Sequence, residues 1–502
     1  MSWADAFDRV PALLASHIVL AAAAMLLGAL IALPLGVFAA WHPRFGRVAL
    51  GFASIIQTIP SLALLALFYP LLLALSFQAL GFLPSLLALA LYALLPILRN
   101  TVIGLNGIDP AVIEAADGIG MTRWQKLHIV EAPLALTAVM GGVRTASVWT
   151  IGAATLSTTV GQPSLGDIIF SGLQTQNWVL VLTGCFAAAG LALVVDGMLA
   201  AATNGIATRR RWLWAIPLAA AIIVPAAIVV SWSKATTTVT IGAKNFAEQF
   251  ILARVIGQRL EAAGYNVRYK ENLGSAVVFS ALGANDIDVY VDYAGTLWAN
   301  EMKRRDVPSR PAMNAAIAAW TQSTHRVTTL GALGFENAYA LAMRGDLAKA
   351  KGVATLDDLA RVAPTLTLGG DLEFLDRPEW ASIRTGYSLN FGKTRAFSPT
   401  FMYEALKSGD ANVISAFSSD GRIAADGLVV LSDPKGVIPG YDALLLIGPK
   451  ASRDERLVAA LRPLIGAVRV EDMRRANLMV DGEKLSPEAA AKWLDSAIAK
   501  RP

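Results

Sequence analysis

Two hydrophobic patterns divide this sequence. Up to about residue 233 the apolar residues run in long blocks, while from about residue 236 they recur at short alternating or helical periods among frequent charges. The blocks fall near residues 17–40, 51–77, 80–104, 135–158, 178–203 and 212–232. Each is close to the ~20 residues that cross ~30 Å of hydrocarbon. The first half therefore predicts an all-α bundle of about six transmembrane helices. Pro34, Pro60 and Pro96 lie inside blocks, where neighbouring helices can re-satisfy the carbonyls that a proline frees. In the second half, Val239 and Ile241 alternate with polar residues as in a strand, and "FAEQFILARVIGQRLEAAG" reads as an amphipathic helix closing on Gly264. A strand over "NVRYKEN" and a helix over "SAVVFSALGAND" follow. Alternating strand and helix predict an α/β domain with a mostly parallel sheet. Its length suffices for two lobes that close on a ligand by hinge motion.

Composition agrees: with 16% charged residues and a mean hydropathy of +0.51, the chain is too apolar for an ordinary soluble protein. The net charge of +5 is spread through both halves, which gives nucleic-acid binding little support. The charges instead report topology. Arg44 and Arg47, then Arg99, Arg123 and Lys126, then Arg209, Arg210 and Arg211 alternate with loops lacking Lys and Arg, notably residues 158–177. Because basic loops stay in the cytoplasm, the N-terminus and the C-terminal half are expected outside and residues 108–133 inside. The last block, preceded by three arginines and followed by Ser233 and Ala235 at A-x-A-like spacing, is similar to a signal peptide. Its apolar stretch exceeds the ~7–15 residues usual for one, which favours an uncut tether. The expected organisation is a transmembrane domain over 1–211, a last helix or tether over 212–235, and an extracytoplasmic domain over 236–502. The lone Cys185 excludes an internal disulfide framework or a Cys zinc cluster and is expected as a small buried side chain.

The cytoplasmic stretch "DPAVIEAADGIGMTRWQKLHIVEAP" offers Asp109 and Pro110 as N-cap and first helical residue, with Gly118 and Gly120 ending that helix. A second helix is expected from about Arg123, stopping before Pro133. Chemistry alone leaves two readings open, a solvated loop or a knob that docks a partner. Glu114-Ala115-Ala116, Gly120 and Val130-x-Ala132-Pro133 resemble the EAA loop of ATP-binding-cassette importer permeases, with Val and Ala replacing the usual Ile and Leu. The resemblance implies a coupling helix that inserts into a separate ATPase subunit, with Glu114, Ala115, Ala116 and Gly120 as its coupling residues. The sequence contains no G-x-x-x-x-G-K-[ST] phosphate loop of its own. It further implies two of these chains paired with two ATPases. Arg144, about two turns into the next span, reads either as a structural arginine or as part of a translocation path.

The C-terminal half resembles the type II binding proteins of quaternary-amine importers, those for glycine betaine, carnitine and choline. The matching stretches are "GAKNFAEQ", "DIDVYVDYAGT", "GFENAYALAM", "AFSSDGRI" and "PGYDAL". The resemblance implies an aromatic cage for a trimethylammonium group, falling on Tyr293, Tyr339, Phe417 and Tyr441, where the family more often has Tyr at the position of Phe417. It also implies Gln249 and Thr296 as polar contacts. A cage makes chemical sense, since a quaternary ammonium cannot donate hydrogen bonds and ring faces solvate it at about 0.5–2 kcal/mol each. Gly274-Ser275, at a helix start, is a candidate for backbone N–H contacts to a carboxylate, although "NLGSAVV" departs from the family's double-Gly form. Lys244 and Asn245 read as cleft or surface residues. Lobe 1 is expected over 236–342 and 441–502 and lobe 2 over 343–440.

Arg377-Pro378-Glu379-Trp380 replaces the family's Arg-x-Asp-Gly, a change that fits another ligand such as ergothioneine, imported by similar fusions. Arg377 or Arg384 would then meet its carboxylate, the blander role for either being a surface ion pair. The sequence thus predicts a multi-pass inner-membrane permease fused to its receptor, with lipid, a small quaternary amine and an ATPase as partners. No cofactor, metal site or catalytic residue is expected. A membrane-anchored sensor would require a cytoplasmic signalling domain, whereas this reading places the last residues outside. An enzyme is disfavoured because His17, His42, His128 and His325 are scattered.

Overall fold

The computed structural model describes residues 3–500 except 76, 176, 209 and 233–237. The candidate cleavage site at Ser233 and Ala235, the junction at residue 236 and Arg209 lie outside the described residues. The chain separates into two compact units, a helical one over residues 2–169 and 180–235 and another made of residues from 236 onward together with 170–179.

Among the described residues of the helical unit, five helices are long and apolar enough to cross a membrane: Val10–Trp41, Phe82–Asn106, Arg123–Val160, Trp178–Ile206 and Trp212–Val230. A sixth crossing exists only if the pair Pro43–Thr58 and Ser61–Ala74, bent by 99°, is counted as one. The expected single span over 51–77 is therefore broken. Ile59, preceding Pro60, is extended, as a proline requires of its predecessor, and Pro60 has no N–H to continue the helix. Pro34 and Pro96 stay inside their helices. Helices pack closely where side chains are small: a Cβ on Gly142 would lie 2.6 Å from the Pro96 carbonyl oxygen. His17, fully buried, ties two further segments, one ring nitrogen meeting the Ile151 carbonyl at 3.0 Å and the other accepting from the Leu165 N–H at 3.3 Å. Cys185 is exposed on its helix, contrary to expectation. An apolar run marks residues inside a membrane without separating the bundle-facing side of a helix from the outer one.

The second unit has ten strands: β1 (Thr238–Lys244), β2 (Asn266–Leu273), β3 (Val289–Tyr293), β4 (Thr328–Glu336), β5 (Tyr339–Arg344), β6 (Thr367–Gly370), β7 (Lys393–Ala396), β8 (Val413–Phe417), β9 (Leu428–Val430) and β10 (Asp442–Ile447). They form two five-stranded sheets, ordered β2-β1-β3-β10-β4 and β7-β6-β8-β5-β9. The two orders are topologically equivalent. β1 is parallel to β2 and β3, and β6 is parallel to β7 and β8. The strand delivered by each crossover, β10 in one sheet and β5 in the other, inserts antiparallel beside β3 or β8. The expected helices are present at Ala247–Ala262 and Ser275–Gly283, the first burying Phe250, Ile251, Val255, Ile256 and Leu260 at i, i+1, i+5, i+6 and i+10 against the sheet.

The first crossover lies at Asn337 and Ala338, so Tyr339 already belongs to the second sheet, upstream of the boundary expected at 343. Only those two residues separate β4 from β5. No polar loop interrupts the apolar pattern there, which is why the sequence does not mark the change of sheet.

Candidate functional site

Parallel strands end on the same edge of a sheet, and open α/β sheets offer their ligand crevices at those carboxyl ends. The second unit follows this rule. The cleft between its two sheets is reached by Lys244, Asn245 and Phe246 from the end of β1 and by Tyr293 and Thr296 from the end of β3. Ser275 contributes from the start of its helix, and Asn337 and Tyr339 from the crossover. Asp371 and Arg377 follow β6, Phe417 ends β8, and Tyr441 precedes β10.

Five aromatic rings run around this cleft. Tyr339 and Phe417 are directly opposed across β5 and β8, with ring centroids 4.9 Å apart. Tyr441 meets Tyr339 edge-on at 5.6 Å, and Phe246 stacks on Phe417 at 6.0 Å and on Tyr293 at 6.2 Å. Tyr441 lies flat against Gly295, where a Cβ would come within 2.4 Å of its ring. Only glycine leaves room for that ring. Two cations approach the same faces. The Arg377 guanidinium is 5.1 Å from the Tyr339 centroid and the Lys244 ammonium 5.4 Å from that of Tyr293. Both are buried and paired, Lys244 with Asp292 at 2.6 Å and Arg377 with Glu379 at 3.3 Å.

The hydroxyls of two rings point away from the cleft into buried carboxylates, which fixes the ring planes. Tyr293 donates to Glu248 at 2.6 Å, and Tyr441 donates to Glu379. Glu248 also accepts from Asn337 and from Asn477, each at 2.9 Å. The Glu248 network therefore joins β3, the crossover and a C-terminal helix. Burial pushes the Glu248 carboxyl above its usual range against these hydrogen bonds. Burial, aided by the adjacent carboxylates, holds the Tyr293 and Tyr441 phenols well above theirs. These rings stay neutral and keep their π faces turned to the cleft. Such an arrangement can solvate a cation that lacks N–H donors and can offer Arg377, Lys244, Thr296 and Ser275 to an anionic group on the same molecule.

The segment expected in the cytoplasm is built from local signals. Asp109 caps helix Pro110–Gly118 by accepting from the Ala111 N–H at 2.9 Å. Gly120 turns the chain with a φ of +79°, a conformation that any side chain would strain. Thr122 and Gln125 then form a reciprocal capping box, and Lys126 pairs back with Asp117 at 2.7 Å. Glu114 and Ala115 are exposed, whereas Ala116 is buried. Ile119, Trp124 and Ile129 leave 75%, 63% and 61% of their surface open along the same segment. The expected stop before Pro133 does not occur. A π-helical turn, Leu127–Glu131, leads directly into helix Ala132–Ala154. Its wider winding and Pro133's place at the second position of the following helix accommodate the missing N–H.

Comparison with known proteins settles the family. Residues 237–496 match the substrate-binding domain of the ABC-type glycine betaine transport system, and residues 32–212 match the inner-membrane component of binding-protein-dependent transport systems. The chain belongs to the ABC-type glycine betaine transport family. A similar relative is the ergothioneine transport permease/ergothioneine binding protein EgtU of Helicobacter pylori (strain G27), 26% identical over 91% of this chain and 85% of that one. The glycine betaine/carnitine/choline transport system permease protein OpuCB of Bacillus subtilis (strain 168) is 40% identical over 37% of this chain and 82% of its own. A crystal structure of a glycine betaine/carnitine/choline ABC transporter aligns with 51% of this chain and 96% of that one at 27% identity and a TM-score of 0.45.

In this glycine betaine-type transport chain the permease unit is an inner-membrane, multi-pass component and the substrate-binding domain is extracytoplasmic. Of the six residues expected at its ligand site, Tyr293, Thr296, Tyr339, Phe417 and Tyr441 line the cleft together. Gln249 stands behind them. Its amide donates to the Val291 carbonyl and the Tyr293 hydroxyl, each at 3.0 Å, and accepts from the Lys244 N–H at 3.3 Å. Arg377 is 6% exposed and faces the cleft, not the surface ion pair given above as its blander role; Arg384 is exposed. Sequence reasoning missed Phe246, Asn337, Asp371 and the carboxylates Glu248 and Glu379. Phe246 stood inside the quoted "GAKNFAEQ" stretch, at the strand-to-helix turn where a ligand-facing side chain belongs. Arg377 is a local partner of Glu379, but the residues that tie these carboxylates to the rings and the crossover lie 45 to 229 residues away and leave no local signal.

Proposed function

We propose that this chain is the permease and substrate receptor of an ATP-driven importer of quaternary ammonium compounds, glycine betaine, choline and carnitine among them. Residues 1–211 serve as permease, 212–235 as an uncut tether and 236–502 as receptor. The observation that carries this reading is the run of five ring faces around one cleft, with Tyr293, Tyr339, Phe417 and Tyr441 as the cage and Phe246 completing it. At about 0.5–2 kcal/mol per ring, several faces together hold a cation that cannot hydrogen-bond. The ligand's carboxylate meets Thr296, Ser275 and the Arg377 guanidinium, while Gln249 holds the Tyr293 ring in place.

No covalent chemistry is assigned to this chain. ATP hydrolysis belongs to a separate ATPase subunit, which receives the turn of Glu114, Ala115, Ala116 and Gly120 and the apolar side chains around it. Two copies of the chain form the membrane portion of the assembly. The Helicobacter pylori relative, matched through both halves, favours a second reading in which the betaine is ergothioneine, whose cationic group uses the same cage. Calorimetric titration of the solubilised chain with glycine betaine, choline, carnitine and ergothioneine tests both: heat with the first three supports the first reading, heat with ergothioneine alone the second. Absence of heat with all four refutes the ligand class.

A further inference from the structure

Two opposite charges meet inside the permease unit. Arg144 lies in helix Ala132–Ala154 and Asp196 in helix Trp178–Ala207. At 1.5 Å per residue, Arg144 is about 18 Å from the first residue of its helix and Asp196 about 16 Å from the last of its own. Both of those ends are cytoplasmic by the distribution of basic residues. The two side chains therefore meet near the middle of a ~30 Å hydrocarbon layer. They form a two-pronged pair, the Arg144 Nε donating to Asp196 Oδ1 at 2.9 Å and Nη2 to Oδ2 at 2.8 Å.

A pair that serves only to join two helices is sealed from its surroundings. This one is not, since the arginine side chain is 37% exposed and the aspartate 34%. Both open into a pocket of about 520 Å³ with Gly141, Thr145 and Trp149 beside them. That volume falls within the ~300–1,000 Å³ of small-molecule sites. Charged side chains at this depth face a bundle interior or a water-filled cavity, because lipid contact is expensive. Trp149 is half exposed and lines the same pocket as the carboxylate.

We propose that Arg144, Asp196 and Trp149 form a transit site for zwitterions within the permease. The inference rests on the betaine reading above. A zwitterion that enters exchanges one ion pair for two, its carboxylate on Arg144 and its quaternary ammonium between Asp196 and the Trp149 face. No charge is then left unpaired in the membrane. A simple cation such as choline pairs only with Asp196 and strands Arg144, which carries the penalty of an uncompensated buried charge.

The test uses the full chain with its ATPase, measuring glycine betaine, ergothioneine and choline uptake alongside binding to the solubilised chain. Arg144→Gln is expected to lower uptake of the zwitterion that the chain binds by about tenfold while changing choline uptake less than about threefold, with receptor affinities unchanged. Asp196→Asn is expected to lower both. Trp149→Ala leaves the ion pair in place, guarding against variants that fail to accumulate, and is expected to lower uptake about fivefold. Equal loss of zwitterion and choline in Arg144→Gln, or unchanged uptake in Trp149→Ala, overturns the transit site and leaves the receptor reading standing. Failure of the wild-type chain to bind any of the three compounds overturns the betaine reading and the transit site with it.

Discussion

The receptor cleft and the cytoplasmic turn solve opposite problems. In the cleft, Tyr293, Tyr339, Tyr441, Thr296 and Arg377 are all buried, and buried carboxylates at Glu248 and Glu379 lock the Tyr293 and Tyr441 rings. In the turn, Glu114 is open and Ile119 and Trp124 expose most of their surface, in a segment held by end caps and the Lys126–Asp117 pair. A small cation is recognised by being surrounded, which suits the proposed ligand site to a closed cleft assembled from distant segments. A partner protein is recognised by a surface, which suits the proposed coupling site to a local, exposed turn. The two regions should fail independently when damaged.

The largest expected effect comes from removing the facing rings of the cleft. Tyr339→Ala combined with Phe417→Ala is expected to weaken ligand binding by about 100-fold, at up to ~2 kcal/mol per desolvated ring. Titration of the solubilised chain measures this, and affinity close to wild type would remove the cage from the account. Next, Glu114→Lys, which reverses an exposed charge of the proposed coupling turn, is expected to lower uptake about tenfold or more with ligand affinity unchanged. Loss of binding as well would break the comparison, since the two regions would then not be separable.

Gly295→Ala sharpens it further. The added methyl meets the Tyr441 ring, and overpacking of this kind costs about 1–3 kcal/mol, so affinity should fall by about tenfold. An unchanged affinity would mean that the ring is free to shift. The smallest effect concerns pH. Burial raises the Glu248 carboxyl above its usual range, so the folded chain retains a proton there that the unfolded chain has already released. Stability of the receptor domain should therefore decline as pH rises from the ordinary glutamate range through the raised value. Glu248→Gln should flatten that decline, as read from the domain's melting transition against pH. An unaltered slope would place the titrating group elsewhere.

How much the sequence reveals follows the same division. The turn was readable residue by residue, because Asp109 and Gly120 act on neighbours. Even there, the helix was expected to stop at Pro133, and the π-helical turn that carries it onward has no sequence signature. That Tyr293, Thr296, Tyr339, Phe417 and Tyr441 share one cleft was legible only through motif resemblance, since nothing local to Tyr339 announces Phe417 across the sheet. Gln249, expected as a polar ligand contact, instead stands behind Tyr293, its amide on the Val291 carbonyl and the Tyr293 hydroxyl. Arg377 reads as a surface residue in isolation, and only the packing of its helix start against Tyr339 and Glu379 buries it. Pro60 shows the converse. Its breaking power was local and evident, but length and hydropathy suggested a single span.

The most direct test of the central claim compares a quaternary ligand with its demethylated counterpart. Titrating the solubilised chain with glycine betaine or ergothioneine and with the corresponding dimethylamino compound isolates the one methyl that turns an N–H donor into a pure cation. The account predicts that the quaternary form binds at least about tenfold more tightly, because ring faces solvate a cation but cannot satisfy its N–H. Equal or tighter binding of the demethylated form would contradict it.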